Sequence, residues 1–284
     1  MNAFATEFSA RTATPASRVE TFIRNTNFEH PTLVVDRDAV ARQYGALKAG
    51  LGRASIHYAV KANPAKEIIE TLVGLGSHFD AASRGEIELC LSQGAHPEHI
   101  SFGNTIKKAR DIAWAHSVGI TLFSVDAEEE IAKVAEHAPG AQVYIRLIVD
   151  ASEADWPLSR KFGCARDKAL ALIDLAKELG LTPVGFSFHV GSQTRRADMW
   201  AITLDQVAAV WNDAKEAGHE LSLLNIGGGF PAFYGEAIEA PTSYAANVMR
   251  QIDARFGDVP QIMAEPGRGM VAEARAIACE VMLV

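Results

Sequence analysis

The chain has 284 residues, enough to bury a sizeable core as one large domain or two small ones without a disulfide or metal staple. With 48% hydrophobic and 22% charged residues, its composition is globular and excludes general disorder. Lys+Arg 27 against Asp+Glu 35 gives a net charge of −8, which argues against nucleic acid or an anionic membrane as the main partner and tolerates a cationic substrate.

Residues 1–30 read as a partly disordered leader, Ser/Thr/Ala-rich at its start and without the apolar stretch of a signal peptide. No apolar run approaches the roughly 18 residues that span a bilayer. Cys90, Cys164 and Cys279 have neither close pairing nor metal-ligand spacing, as expected of reduced thiols in a cytoplasmic protein. Pro31–Asp36 is an apolar run. After it, short apolar runs alternate with longer amphipathic stretches. Strands are predicted at Ile56–Val60, Ser77–Ala81, His99–Phe102, Leu122–Val125, Val143–Leu147, Pro183–Phe188, Leu223–Ile226 and Gln261–Glu265. Helices are predicted between them at Ala65–Leu75, Arg84–Gln93, Lys107–Val118, Glu128–His137, Asp167–Leu179, Ala197–Ala217 and Thr242–Phe256. Pro64 and Pro241 stand where a helix begins, Gly180 and Gly218 where one ends. Eight strands alternating with helices suit a closed (β/α)8 barrel or an open doubly wound sheet. No GxGxxG turn follows an early strand and the glycines cluster late, so the barrel is the expected α/β fold.

In such a barrel the chemistry sits at the C-terminal strand ends. The first strand delivers Lys61, either a solvated loop cation or an amine whose pKa desolvation lowers for imine chemistry. The second ends at Asp80, which could equally cap a helix, with Glu86 just beyond. The fifth carries Arg146. The sixth sets His189 at the rim, followed by Gly191, Ser192 and Gln193, a turn suited to an anion. Gly227, Gly228 and Gly229 after the seventh form either a tight turn or a phosphate nest. The eighth ends in Glu265-Pro266-Gly267-Arg268, a carboxylate at the strand tip and a guanidinium able to chelate phosphate. An amine, a carboxylate, an imidazole and a phosphate cradle on one rim match the needs of pyridoxal 5'-phosphate (PLP).

The segments 58–63 (TyrAlaValLysAlaAsn), 79–83 (PheAspAlaAlaSer), 188–193 (PheHisValGlySerGln), 227–230 (GlyGlyGlyPhe) and 265–268 (GluProGlyArg) occur in that order. Together they resemble the alanine-racemase-like (fold type III) PLP-dependent decarboxylases of the ornithine/lysine/diaminopimelate/arginine group. Segments 101–107 and 159–163 (SerArgLysPheGly) resemble the ornithine branch of that family, the bacterial ornithine and lysine/ornithine enzymes above all.

The resemblance implies a homodimer with shared active sites that decarboxylates a basic amino acid. Ornithine or lysine would go to putrescine or cadaverine plus CO2, in polyamine biosynthesis. It implies Lys61 as the Schiff-base lysine, Glu265 as partner of the pyridine nitrogen and His189 stacked on the ring. Ser192, Gly229 and Arg268 would hold the phosphate, and Gly227, Gly228 and Gly267 would also bind the cofactor. Asp80, Glu86 and Arg146 would line the cofactor site and Lys161 the dimer interface. Members of the family carry a C-terminal β-sheet domain that completes the partner's site. Residues 31–273 are therefore expected to form the PLP-binding barrel with its preceding strand, and 274–284 the start of a truncated β-sheet domain, leaving this chain inactive alone. The competing expectation is a non-catalytic PLP-binding or regulatory barrel; decarboxylases of diaminopimelate or arginine are further alternatives.

Overall fold

A computed structural model describes residues 18–149, 155, 161–257, 259 and 261–283. The expected leader falls partly outside them. Of its described part, Arg18–Arg24 forms a helix with Val19 buried. Ser159 and Arg160 of the SerArgLysPheGly segment, and Val284, also lie outside the described residues.

Ten strands are described: β1 (Thr32–Val35), β2 (Ser55–Ala59), β3 (His78–Ala81), β4 (Ile100–Phe102), β5 (Leu122–Val125), β6 (Gln142–Arg146), β7 (Thr182–Ser187), β8 (Leu223–Asn225), β9 (Gln261–Ala264) and β10 (Arg275–Ala278). β2 to β9 form a closed parallel barrel, sealed where Ser55 and Ile56 of β2 pair with Met263 and Ala264 of β9. This is the expected (β/α)8 fold. All eight predicted barrel strands are found, within about two residues of their predicted ends.

Alternation along each strand sorts side chains to the helices or to the lumen. Tyr58, Phe79, Val143, Ile145 and Phe186 pack with the helices in the main core. Residues of opposite parity, His57, His78, Asp80, Tyr144, Ser187 and Asn225, face inward, so the lumen is unusually polar. Tyr144 joins Val184, Leu223 and Met263 in a small separate cluster.

One helix was not expected. Arg37–Leu51 is a 15-residue helix preceding β2, started by Asp36, whose side chain accepts from the backbone N–H groups of Asp38 and Ala39. It packs between helices Lys66–Gly74 and Pro241–Phe256. The helix after β9 has only four residues, Arg268–Val271, so the pre-barrel helix fills the vacant place in the outer ring. Gly50 permits the approach: a Cβ there would fall 2.2 Å from the Thr242 carbonyl oxygen.

The two apolar runs outside the barrel count find each other. β1 pairs antiparallel with β10, Leu33 facing Ile277 in register, and both side chains are exposed. Only Arg275–Ala278 of the predicted C-terminal strand is extended into the ladder.

Candidate active site

The C-terminal ends of β2, β7, β8 and β9 surround a cleft of about 280 Å3. Lys61, His189, Ser192, Gly228, Gly229, Glu265, Gly267 and Arg268 all line it. Asp80, Glu86, Arg146 and Gly227 stand just outside that lining.

Lys61 sits on a single 3-10 turn, Val60–Ala62, that continues β2. Its Nζ lies 3.0 Å from Oδ2 of Asp80, which is buried on the neighbouring strand, opposite Ala59. Contrary to the expectation from desolvation, the Lys61 pKa is raised. The adjacent Asp80 carboxylate is the largest cause and outweighs the loss of hydration; Glu265 adds to it. Asp80 Oδ1 is buried without a hydrogen-bond partner among the described residues. Only glycine fits beside it, since a Cβ on Gly103 would fall 1.7 Å from that oxygen. Glu86 belongs to the helix that starts after β3. Its carboxylate accepts from Ala82 N, while its own N–H donates to Ser83 Oγ. Burial raises its pKa, with Asp80 adding to the effect.

Glu265 follows β9. Burial, then the Asp80 charge, push its pKa up to about 7 against the pull of Lys61. Asn225 Nδ2 donates to Glu265 Oε1 at 2.6 Å, and Asn225 Oδ1 accepts from Gly227 N at 2.9 Å. One fully buried carboxamide thus joins the carboxylate to the glycine loop. Sequence reasoning passed over it, although a polar residue closing an apolar strand just before three glycines was the available signal.

His189 Nδ1 accepts from Gly191 N at 3.0 Å, leaving the proton of the neutral ring on Nε2. Burial first, then Arg146 and Lys61, lower its pKa to about 3. Arg146, at the tip of β6, places its guanidinium carbon 5.4 Å from the Phe162 ring centroid, with Lys161 Nζ over the same ring at 5.1 Å. Lys161 itself is exposed.

At the other end of the cleft the backbone is bare of side chains. Gly227 and Gly229 adopt φ of 65° and 105°, open to glycine at little cost. A Cβ on Gly228 would lie 3.1 Å from His189 Nε2, and one on Gly229 2.6 Å from Val190 Cγ2. Arg268 Nη1 donates to the Tyr234 hydroxyl at 3.3 Å, a second residue the sequence reading missed.

A primary amine, a buried carboxyl poised near neutrality, a flat uncharged imidazole and a Cβ-free cradle beside an arginine and a serine fit PLP. The cradle would take the phosphate, and a Cβ at 228 or 229 would press on His189 or Val190 and disturb it.

A family model for the pyridoxal-binding domain of pyridoxal-dependent decarboxylases matches residues 37–272. The lysine/ornithine decarboxylase of Selenomonas ruminantium is 36% identical over 245 residues, which cover 86% of this chain and 62% of that protein. Antizyme inhibitor 2 of Xenopus laevis is 35% identical over 252 residues, 88% of this chain and 55% of that one. A crystal structure of the Selenomonas ruminantium lysine decarboxylase in complex with PLP and cadaverine superposes with a TM-score of 0.82 at 34% identity, covering 91% of this chain and 65% of its own. The chain therefore spans less than two thirds of the length of these curated relatives. With the family model matched across most of its length, this chain belongs to the pyridoxal-dependent decarboxylases and carries their pyridoxal-binding domain, with PLP as cofactor.

Proposed function

We propose that the protein is a PLP-dependent decarboxylase of a basic amino acid, L-ornithine, L-lysine or both, releasing CO2 and putrescine or cadaverine. The carrying observation is the cleft itself, which brings the Lys61 amine, the raised carboxyl of Glu265 and the His189 ring to the same end of the barrel as the glycine cradle. The relatives named as lysine/ornithine decarboxylases support the substrate class. Arginine or diaminopimelate would suit the same half-site.

When bound, PLP supplies an electron sink for the pair left at Cα as CO2 departs. The protein's own groups prepare for this. Lys61 offers the amine that would hold the cofactor, and the Asp80 carboxylate accepts from its Nζ, orienting it and favouring its protonated form. Glu265 would hold a proton on the ring nitrogen; burial and the Asp80 charge raise its pKa more than Lys61 and Arg146 lower it. His189, neutral and fastened through Nδ1, gives a flat face against which a ring can stack without adding charge. Ser192, Gly227, Gly228, Gly229, Gly267 and Arg268 would take the phosphate; Glu86 and Arg146 set the charge around it. Lys161 is exposed, as a residue reserved for a partner copy would be, and we propose a cytoplasmic homodimer with shared sites. Among the described residues no helix is long and apolar enough to cross a membrane.

The test is borohydride reduction of the PLP-loaded protein and mass mapping, expected to place the pyridoxyl group on Lys61, with no adduct in Lys61→Ala. An adduct on another lysine, or one that persists in Lys61→Ala, overturns the site. The full-length protein is expected to release CO2 from ornithine or lysine. Failure on all four amino acids, with the Lys61 adduct intact, would favour the reading as a non-catalytic PLP-binding barrel.

A further inference from the structure

Among the described residues, Gln193 is the only non-glycine with positive φ, at 60°. A left-handed glutamine backbone is uncommon, and such outliers persist where the surroundings over-determine them. Here they do. The Gln193 side chain is buried; its Oε1 accepts from Ala232 N at 3.1 Å and its Nε2 donates to Ala232 O. Ala232 N can only donate, so the two bonds also fix which way the carboxamide points. The clamp joins the loop after β7, which carries Ser192, to the loop after β8, which carries Gly228 and Gly229. A second stitch lies beside it. Thr194 N donates to Gly229 O at 3.0 Å, and Thr194 O accepts from the Tyr244 hydroxyl at 2.6 Å, itself held by Trp200 Nε1 at 2.8 Å.

We infer that Gln193 is a positioning residue for the phosphate end of the cofactor site. Its left-handed turn presents Ser192 to the cleft, and its carboxamide locks the serine loop against the glycine loop. The cradle is thereby set before the ligand arrives, and affinity gained by such preorganisation is specific to the group it was built for. The inference rests on the PLP reading above and deepens it: Gln193 acts on the phosphate and not on the ring or its aldehyde.

Comparing PLP with pyridoxal, which lacks the phosphate, tests this. Both would be titrated into apo wild type, Gln193→Ala and Gln193→Gly, following the absorbance of the bound adduct, with a thermal melt of each apo protein. Gln193→Gly accepts the left-handed backbone and keeps the fold while losing both clamp bonds. Its PLP Kd is expected to rise about tenfold, two ordinary hydrogen bonds' worth, with pyridoxal affinity unchanged. Inorganic phosphate should compete with PLP less well in the variants than in wild type. The inference is overturned if Gln193→Gly binds PLP as wild type does, or if it loses PLP and pyridoxal in parallel, which is what a purely structural role gives. A wild-type protein that forms no reducible adduct at Lys61 would instead sink the underlying reading.

Discussion

One lumen runs through the barrel, and its two ends handle buried ionisable groups in different ways. At the C-terminal mouth Lys61, Asp80, Arg146 and Glu265 lie close enough to perturb one another, and opposite charges offset much of the cost of burial. Toward the N-terminal end, imidazoles face each other instead. The His57 and His78 rings meet edge-on at 4.8 Å, and His78 stacks on His99 at 4.0 Å. His96 lies against His99, and Lys48 is a cation that acts on His78. Burial first, then neighbouring histidines, push His57 well below its ordinary value; burial, His99 and Lys48 take His78 down to about 4. Charge is useful at one end and excluded at the other.

The two ends therefore carry opposite pH liabilities. Glu265 has a raised value in the fold, so between its ordinary 4.5 and about 7 the folded state holds a proton the unfolded chain has released. Its contribution to stability falls as pH rises through that window. For His78 the unfolded chain takes a proton below 6.5 that the folded ring refuses until about 4, so stability falls as pH drops through that range. His189 breaks the symmetry: it lies at the mouth yet shares the acid-side sign, because burial first, and then Arg146 and Lys61, disfavour its charged form.

Glu265→Gln should separate stability from function most sharply. The uncharged isostere removes the alkaline liability, so the apo protein should melt at least as high as wild type at pH 8 while the two converge at pH 4.5. In the full-length protein the proposed CO2 release should drop by roughly 10²–10³-fold, the usual loss when one preorganised electrostatic group is removed. A variant less stable than wild type at pH 8 would mean that the Glu265 carboxylate is satisfied by its protein neighbours. Asn225→Leu ranks next. It leaves Gly227 N without its acceptor and Glu265 without its donor, so the alkaline loss of stability should steepen and PLP affinity fall about tenfold. Unchanged melting at pH 8 would show that this carboxamide does not link the two ends of the cofactor site.

The barrel was legible because each buried parallel strand is a short apolar run and each amphipathic helix between them repeats at helical spacing. The Arg37–Leu51 helix was not expected from the sequence; its fit depends on Gly50, which lets helix Pro241–Phe256 approach, a contact made with a segment distant in the chain. The rim residues were legible by type, since strand ends can be counted. Their electrostatics were not. The raised pKa of Lys61 depends on β2 and β3 pairing with Ala59 opposite Asp80, a register that no local pattern records. Asn225 and Gln193 share that limit: each acts by touching backbone from a distant loop, and a left-handed φ at a glutamine leaves no trace in the sequence.

The smallest expected effect lies at the opposite end from the cleft and tests whether the two ends are independent. His78→Phe keeps a flat ring on His99 and an edge toward His57 but cannot take a proton. The unpartnered, buried His78 Nδ1 disappears with it. His57 also loses a neighbour that disfavours its charged form, so part of its own acid liability is relieved. The acid limb of the stability curve, measured by urea unfolding at pH 5 and at pH 8, should flatten by on the order of 1–2 kcal/mol, nearly all of it at pH 5. PLP affinity at pH 8 should not change, because no residue lining the cleft belongs to the histidine stack. If His78→Phe weakened PLP binding, the polar lumen between His57 and Asp80 would be carrying strain from one end to the other, and the division of labour along the barrel would fail.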